Sequence, residues 1–127
     1  MLKVLIVDDS TSVRFQLRIL VEEAGHSVVA EAVNGVEAVE VYRQLRPNLV
    51  LLDIVMPELD GMQALEEIKG LDPDAKVVMV SSAATRGNIE RAQQLGALQF
   101  VLKPFSRERI SEVLEIAEKM LSKERAA

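Results

Sequence analysis

The chain has 127 residues, of which 49% are hydrophobic, and it carries a net charge of -5. This length predicts one domain with a buried core, and the acidic balance argues against a nucleic-acid surface, which needs basic patches. The absence of cysteine excludes disulfides and thiolate metal sites. With no leader-like N-terminus and no apolar run long enough to span a bilayer, we expect a soluble, cytoplasmic protein without membrane contacts.

Apolar segments with strand character alternate along the chain with segments of helical spacing. The five predicted strands cover residues 2–7, 27–32, 48–53, 76–81 and 98–102. The predicted helices lie between Ser10 and Gly25, Ala38 and Leu45, Gly61 and Gly70, Asn88 and Leu95, and from Ser106 onward. We treat residues 1–127 as one domain and expect a tail of about residues 123–127 to fray.

Three smaller expectations concern a histidine, a residue pair and the methionines. His26 follows Gly25 in a predicted loop and is expected to be exposed, with no role as a ligand or phosphodonor. Arg86 and Gly87 indicate a mobile loop after the fourth strand. Four methionines are expected to fill the core, namely Met56, Met62, Met79 and Met120.

Five strands alternating with five helices predict an α/β fold, a doubly wound parallel sheet with helices on both faces and right-handed crossovers. The strand over residues 48–53 is apolar on both faces, which is typical of the centre of a parallel sheet. Two strand orders fit this alternation. The flavodoxin-like order 2-1-3-4-5 is favoured, because it makes neighbours of the strands that end at Asp8-Asp9 and at Asp53.

Four strands end in polar side chains of complementary kinds, at Asp8-Asp9, Asp53, Ser81-Ser82 and Lys103. Three carboxylates at one sheet edge repel each other, by roughly 4 kcal/mol for two charges 4 Å apart at an effective dielectric of 20. All-oxygen ligands of this kind indicate Mg²⁺ and phosphate chemistry. Asp53, alone at its strand end, is the candidate covalent phosphoryl acceptor. Lys103 and Ser81 would then contact the phosphoryl oxygens.

Four segments in order, each at a strand end, resemble the receiver domains of two-component response regulators, especially single-domain chemotaxis regulators of the CheY type. They are Leu5 to Ser10, Leu52 to Pro57 with Asp60-Gly61, Val80 to Ala83, and Phe100 to Phe105. The resemblance covers essentially the whole chain. It implies that Asp53 is the phosphorylated aspartate and that Mg²⁺ is held by Asp8, Asp9, Asp53 and the backbone carbonyl of Val55, with Asp8 acting mainly through a bound water.

The same resemblance implies a switch. Ser81 and Lys103 would contact the phosphoryl group, and the Lys103-Pro104 peptide would be cis. On phosphorylation Ser81 would move toward the phosphoryl group and Phe100 would turn inward, which would reshape the face of the fourth helix, fifth strand and fifth helix. The implied partners are a histidine kinase as phosphodonor, an unknown downstream target protein and a phosphatase, with a monomer or weak dimer as the functional unit.

Two departures from the family pattern matter. Phe100 has no hydroxyl, so any contact through a tyrosine OH at that position is lost. The residues two after Asp53 and two after Ser81 are Val55 and Ala83. Because apolar side chains cannot orient a hydrolytic water, we predict slow self-dephosphorylation. The domain would act only on itself, so we do not expect an enzyme with turnover.

Three other interpretations fit parts of the sequence. In the first, the chain is a receiver domain cut from a longer regulator with a DNA-binding or methylesterase output domain. Alternatively, it is a phosphohydrolase or phosphotransferase with Asp53 or Asp8 as nucleophile. Such enzymes usually place a second acid two residues later, where this chain has Val55 and Ser10. A flavodoxin-like cofactor binder is disfavoured, because the loop after the first strand is acidic and would repel phosphate.

Overall fold

The computed structural model describes residues 1–126, in which five strands and five helices alternate as predicted. The strands are β1 (Lys3–Val7), β2 (Ser27–Ala32), β3 (Leu49–Leu52), β4 (Val77–Ser81) and β5 (Gln99–Leu102). The helices are α1 (Thr11–Glu23), α2 (Gly35–Leu45), α3 (Gly61–Leu71), α4 (Arg86–Gln94) and α5 (Arg107–Ala126). Across residues 1–126 no helix has the length and apolar character needed to cross a membrane.

The five strands form one sheet in the order β2-β1-β3-β4-β5, and every neighbouring pair is parallel. This confirms the predicted order. Val7 at the end of β1 pairs with Leu52 at the end of β3, and the Asp53 amide donates to the Val7 carbonyl at 3.0 Å. Asp8 and Asp53 therefore leave the sheet side by side.

Alternate residues of the strands supply two separate apolar layers, one on each face of the sheet. The first layer joins Leu5, Val7, Leu52 and Met79 to residues of α2, α3 and α4. The second joins Val4, Ile6, Leu51 and Val80 to residues of α1 and α5. Burying a large apolar side chain contributes about 1.5–3 kcal/mol, so both faces of the sheet are held firmly.

Helix α4 begins earlier than the sequence indicated. Thr85 is its N-cap, and its hydroxyl accepts a hydrogen bond from the Asn88 amide at 3.1 Å. The capping places Arg86 and Gly87 in the first helical turn, so the prediction of a loop at these two residues is wrong. A threonine before a polar segment satisfies the free amides of a helix start without any apolar stripe.

Helix α5 continues to Ala126, through the segment that was expected to fray, and Ala127 lies outside the described residues. The end of the helix is fixed by Glu124, whose two carboxylate oxygens each accept from the Lys76 ammonium at 2.7 Å. Met56 and Met79 are buried as predicted, and Met62 packs against the first apolar layer. Met120 is 38% exposed, so its predicted place in the core is wrong.

His26 is not an exposed loop residue as predicted. Its side chain is only 6% exposed, and its Nδ1 accepts a hydrogen bond from the Leu2 amide at 3.0 Å. The imidazole satisfies a backbone donor at the start of the sheet that would otherwise be unpaired. The loop after α1 therefore depends on this histidine for its contact with the N-terminus.

Candidate functional site

Three carboxylates meet at the carboxyl edge of the sheet, as the sequence predicted. Asp8, Asp9 and Asp53 each offer one oxygen, and these oxygens all lie within 4.8 Å of one another. Asp8 and Asp53 are 1% and 6% exposed, whereas Asp9 is exposed at the rim. The site thus has two deep carboxylates and one that faces solvent.

Backbone amides hold the two deep carboxylates in place. The Ser10 amide donates to Oδ1 of Asp8 at 2.9 Å, and the Ile54 amide donates to Oδ1 of Asp53 at 2.7 Å. The main chain of both residues is also fixed. The Asp8 amide donates to the Ala32 carbonyl at 3.1 Å, and the Asp53 amide donates to the Val7 carbonyl at 3.0 Å. The carboxylates are therefore ordered by the sheet before any ligand is present.

Lys103 lies between the two deep carboxylates. Its Nζ donates to Oδ2 of Asp8 at 2.7 Å and to Oδ2 of Asp53 at 3.2 Å. The peptide that follows, Lys103-Pro104, is cis, as expected. One ammonium group against three carboxylates leaves an excess of negative charge, which attracts a cation.

The electrostatics of the site disfavour the ionised form of Asp53 and favour the ionised form of Lys103. Burial, with the nearby charge of Asp8, raises the pKa of the Asp53 carboxyl, and the ammonium of Lys103 only partly opposes this. Burial works to lower the pKa of Lys103. The hydrogen bond to Asp8 and the charge of Asp53 outweigh burial, so the net pKa of Lys103 is raised. The site therefore favours the charged ammonium of Lys103 and disfavours the charged carboxylate of Asp53.

The loop between β3 and α3 folds back tightly on Asp53. The Gly61 amide donates to the Ile54 carbonyl at 2.7 Å, and a Cβ on Gly61 would lie 1.8 Å from the Asp53 carbonyl oxygen. Only glycine fits such an approach. Asp60 before it caps α3 in a capping box with Gln63. Nothing in the sequence around Asp60-Gly61 reveals this steric requirement.

The donors present suit a hard divalent cation. They are carboxylate oxygens, which Mg²⁺ and Ca²⁺ prefer, and Mg²⁺ commonly keeps waters and phosphate oxygens beside one or two protein carboxylates. Asp8, Asp9 and Asp53 fit this pattern. Val55, whose carbonyl was predicted as a further ligand, is 65% exposed in the loop after β3, and its role as a ligand stays a prediction.

Ser81 ends β4, beside the strand that leads to Lys103, and its carbonyl accepts from the Lys103 amide at 3.0 Å. Its side chain is fully buried, and its Oγ accepts from the Ala83 amide at 3.1 Å. Within residues 1–126 the Ser81 hydroxyl makes no hydrogen bond to the side chains of Asp8, Asp53 or Lys103. Because side chains alternate along a strand, Ser81 on β4 shares the face of Met79.

Phe100 is half-buried and packs against that same first layer. It lines a groove of about 290 Å³ between α4 and β5, together with Ile89 and Ala92. The two residues of the predicted switch thus lie on one face of the sheet, the face covered by α4.

One charged cluster at the site was not found from the sequence. Arg14 on α1 donates through Nη1 to the Asp8 carbonyl at 2.7 Å and through Nε to Glu31 on β2 at 2.8 Å. The hydrogen bond from Arg18, with those from Arg14, lowers the pKa of the Glu31 carboxyl against the effect of burial. A glutamate within a strand, facing a helix with two arginines, was the available signal.

Comparison with known protein families gives one match over most of the chain. The response regulator receiver domain matches residues 4–115. Chemotaxis protein CheY of Listeria monocytogenes is 46% identical over 119 residues, which cover 94% of this chain and 100% of the relative. CheY of Thermotoga maritima is 42% identical over 112 residues, which cover 88% of this chain and 93% of the relative.

Solved structures agree with this match. CheY of Borrelia burgdorferi, in a complex with CheX, beryllium trifluoride and Mg²⁺, is 32% identical and aligns with a TM-score of 0.87 over 90% of this chain and 87% of its own. The response regulator domain of Thermotoga maritima CheB is 33% identical, with a TM-score of 0.82 over 94% of this chain and 95% of its own. Both have the fold described above.

Proposed function

Because the chain belongs to the response regulator receiver family, we propose that it is a phospho-acceptor signalling switch whose acceptor is Asp53. The observation that carries the proposal is the position of Asp53. It is buried beside Lys103 and next to two more carboxylates, at the edge of the sheet where ligands bind in this class of fold. A buried carboxylate with a raised pKa and a fixed cationic neighbour is typical of a reactive site.

The proposed donor is the phosphohistidine of a histidine kinase. A carboxylate oxygen of Asp53 forms a bond to phosphorus, while the bond from phosphorus to the imidazole nitrogen breaks and the imidazole keeps the electron pair. The product is an acyl phosphate on Asp53 and a free histidine on the kinase. Because catalysis of such a transfer depends mainly on positioning and charge stabilisation, the residues around Asp53 would account for most of the rate enhancement.

Lys103 and Ser81 are the proposed phosphoryl-binding residues. Lys103 already contacts Oδ2 of Asp53, so its ammonium can transfer its hydrogen bond to a phosphoryl oxygen attached there. The Oγ of Ser81 accepts from the Ala83 amide, which leaves its O–H free to donate to a phosphoryl oxygen. After transfer the hydroxyl of Ser81 would move toward the phosphoryl group.

Mg²⁺ is the proposed cofactor, and when bound it would neutralise the charge that accumulates on the phosphoryl oxygens. Asp8, Asp9 and Asp53 would hold it, with the Val55 carbonyl as a further ligand. The CheY complex from Borrelia burgdorferi contains Mg²⁺, which supports the proposal.

The output of the switch is the face formed by α4, β5 and α5. A movement of Ser81 opens space on the side of the sheet where Phe100 packs, and an inward turn of Phe100 would change the groove that it lines. This is a shift between two packings that the phosphoryl group biases. The downstream target would be a protein that binds one packing better than the other, and the switch would work as a monomer or weak dimer.

Self-dephosphorylation should be slow. Val55 is exposed but apolar, and Ala83 offers a backbone amide that Ser81 already uses. Neither side chain can orient a water for attack on the acyl phosphate. A separate phosphatase is therefore a proposed partner, and the chain itself would not turn over a separate substrate.

A phosphohydrolase with Asp8 or Asp53 as nucleophile fits less well, because no carboxylate stands two residues after either one. The alternative of a receiver domain from a longer regulator is also less favoured. The CheY of Listeria monocytogenes is matched over its whole length.

The test uses the purified chain with acetyl phosphate and Mg²⁺, followed by intact-mass spectrometry and by an assay of released phosphate. We expect one added phosphoryl group, which is absent in Asp53→Asn and absent when a chelator removes Mg²⁺. Asp60→Asn, a nearby carboxylate outside the cluster, is the matched control and should still be phosphorylated. Continuous phosphate release by the wild type would favour the phosphohydrolase instead.

A further inference from the structure

The peptide between Asp8 and Asp9 is held by a residue that touches neither carboxylate. The Asp8 carbonyl accepts a hydrogen bond from Nη1 of Arg14 at 2.7 Å. Because a peptide unit is planar, fixing this oxygen also fixes the amide of Asp9 and the direction in which Asp9 leaves the chain. The deep carboxylate of Asp8 has its own partners in Ser10 and Lys103, so the contact with Arg14 matters most for Asp9.

Arg14 is itself anchored. Its Nε donates to Oε1 of Glu31 at 2.8 Å, and its side chain is only 14% exposed. Arg18, one turn further along α1, donates to the other oxygen of Glu31 at 2.9 Å and 2.7 Å. Glu31 thus connects two arginines of α1 to β2, but only Arg14 reaches the main chain of the acidic cluster.

We propose that Arg14 is a positioning residue for the cation site, and that Glu31 is its anchor. Arg14 orients the Asp8–Asp9 peptide so that the rim carboxylate of Asp9 points toward the two deep carboxylates before the cation arrives. Glu31 holds the guanidinium in that orientation and neutralises its charge. The inference rests on the proposed function, since it concerns the affinity of this site for Mg²⁺.

The charge of Arg14 and its hydrogen bond have opposite effects on Mg²⁺ affinity. A guanidinium close to a cation site repels the cation, so loss of the charge alone would strengthen Mg²⁺ binding. Loss of the hydrogen bond frees the peptide before Asp9 and weakens binding. Outer partners of metal ligands commonly change metal affinity by about 10–100-fold when removed. The direction of the change in Arg14→Met therefore separates the two roles.

The experiment measures Mg²⁺ binding by isothermal titration calorimetry on the full chain, since the chain has no tryptophan to report binding by fluorescence. We expect Arg14→Met to raise the Kd for Mg²⁺ about tenfold. Arg18→Met is the matched control, because it removes the same charge and the same kind of bond to Glu31 without touching Asp8. Its Kd should stay within about twofold of the wild type. Arg14→Lys, which restores a donor but not the two-pronged geometry, should fall between them.

A second readout does not need the metal. In metal-free protein labelled with ¹⁵N, Arg14→Met should shift the amide resonance of Asp9 and increase its backbone motion in ¹⁵N relaxation, while Arg18→Met leaves both unchanged. If Arg14→Met fails to fold, Arg14→Lys carries the same comparison.

Equal or tighter Mg²⁺ binding by Arg14→Met would overturn the inference, and so would equal losses in Arg14→Met and Arg18→Met. Failure of the wild type to bind Mg²⁺ would instead reject the proposed function. In that case the Asp9 resonance alone decides whether Arg14 positions the peptide.

Discussion

The two edges of the sheet treat charge in opposite ways. At the amino edge the buried Lys76 and the half-buried Asp72 each have partners. Lys76 is held by both oxygens of Glu124, and Asp72 accepts from the Tyr42 hydroxyl at 2.7 Å with Arg46 at 3.6 Å. At the carboxyl edge the two deep carboxylates share one lysine, and a third carboxylate lies beside them at the rim.

This difference shows what each edge is for. Paired charges at the amino edge stabilise the fold and attract nothing further. Unbalanced charges at the carboxyl edge cost stability, since burial and the nearby charge of Asp8 both disfavour the ionised form of Asp53 and raise its pKa. Such an arrangement is typical of a site that binds a ligand.

Helix α3 runs from one edge to the other and has a glycine near each end. Changing each glycine to alanine should give the largest difference in the free energy of unfolding. Gly61→Ala should lower the free energy of unfolding by about 3 kcal/mol or more, because the new Cβ clashes with the Asp53 carbonyl. Gly70→Ala meets nothing within 4 Å and should stabilise the chain by about 0.5–1 kcal/mol. Urea unfolding of both variants checks this, and similar values for the two would contradict it.

Lys103→Met should lower the free energy of unfolding by about 2 kcal/mol, because it leaves Asp8 and Asp53 facing each other without a cation. Phosphorylation by acetyl phosphate should be lost. Added Mg²⁺ should raise the melting temperature of this variant more than that of the wild type, since no ammonium then competes for the carboxylates. Thermal melts with and without Mg²⁺ measure this effect. An equal increase in both proteins would argue against competition at the site.

At the amino edge the ion pair should respond asymmetrically. Glu124→Gln leaves the buried ammonium of Lys76, 7% exposed, without a counter-charge and should cost about 1.5 kcal/mol. Lys76→Met leaves only Glu124, which is half exposed and regains water, and should cost less than about 1 kcal/mol. Chemical denaturation gives both values, and phosphorylation should be normal in both variants. A greater cost for Lys76→Met would show that the lysine stem, not its charge, supports α5.

The smallest effect concerns pH. The hydrogen bond from Tyr42, helped by nearby cations against burial, lowers the pKa of Asp72 in the folded protein. Stability from this bond is therefore present above the usual aspartate pKa of about 4 and is lost as pH falls through the lowered value. Tyr42→Phe should cost about 1 kcal/mol at pH 7, and the difference from wild type should shrink in acid. Denaturation curves between pH 7 and pH 2 test this, and a constant difference would be inconsistent with it.

Much of the fold was predictable because apolar patterning is a local property. Alternating strands and helices gave the class, and acids at two strand ends favoured the order that made them neighbours. Local patterning failed where distant segments decide whether a side chain is buried or exposed. His26 is covered through its contact with Leu2, and Met120 turns outward although it follows the helical spacing of α5.

The chemical groups of the site were likewise predictable, but their arrangement was not. Consecutive aspartates at a strand end do not reveal that Asp8 is deep and Asp9 at the rim. The close approach of Gly61 to Asp53 and the contact of Arg14 with the Asp8 carbonyl both depend on backbone positions set by other elements. Such contacts follow from three-dimensional register, which a single sequence does not specify.

The pairing of Val7 with Leu52 places Asp8 and Asp53 next to each other through main-chain hydrogen bonds, which no side-chain substitution removes. The outer surfaces of the helices contribute nothing to that spacing. Substitutions on those surfaces can therefore change which partner binds, while Asp8 and Asp53 keep their spacing at the strand ends.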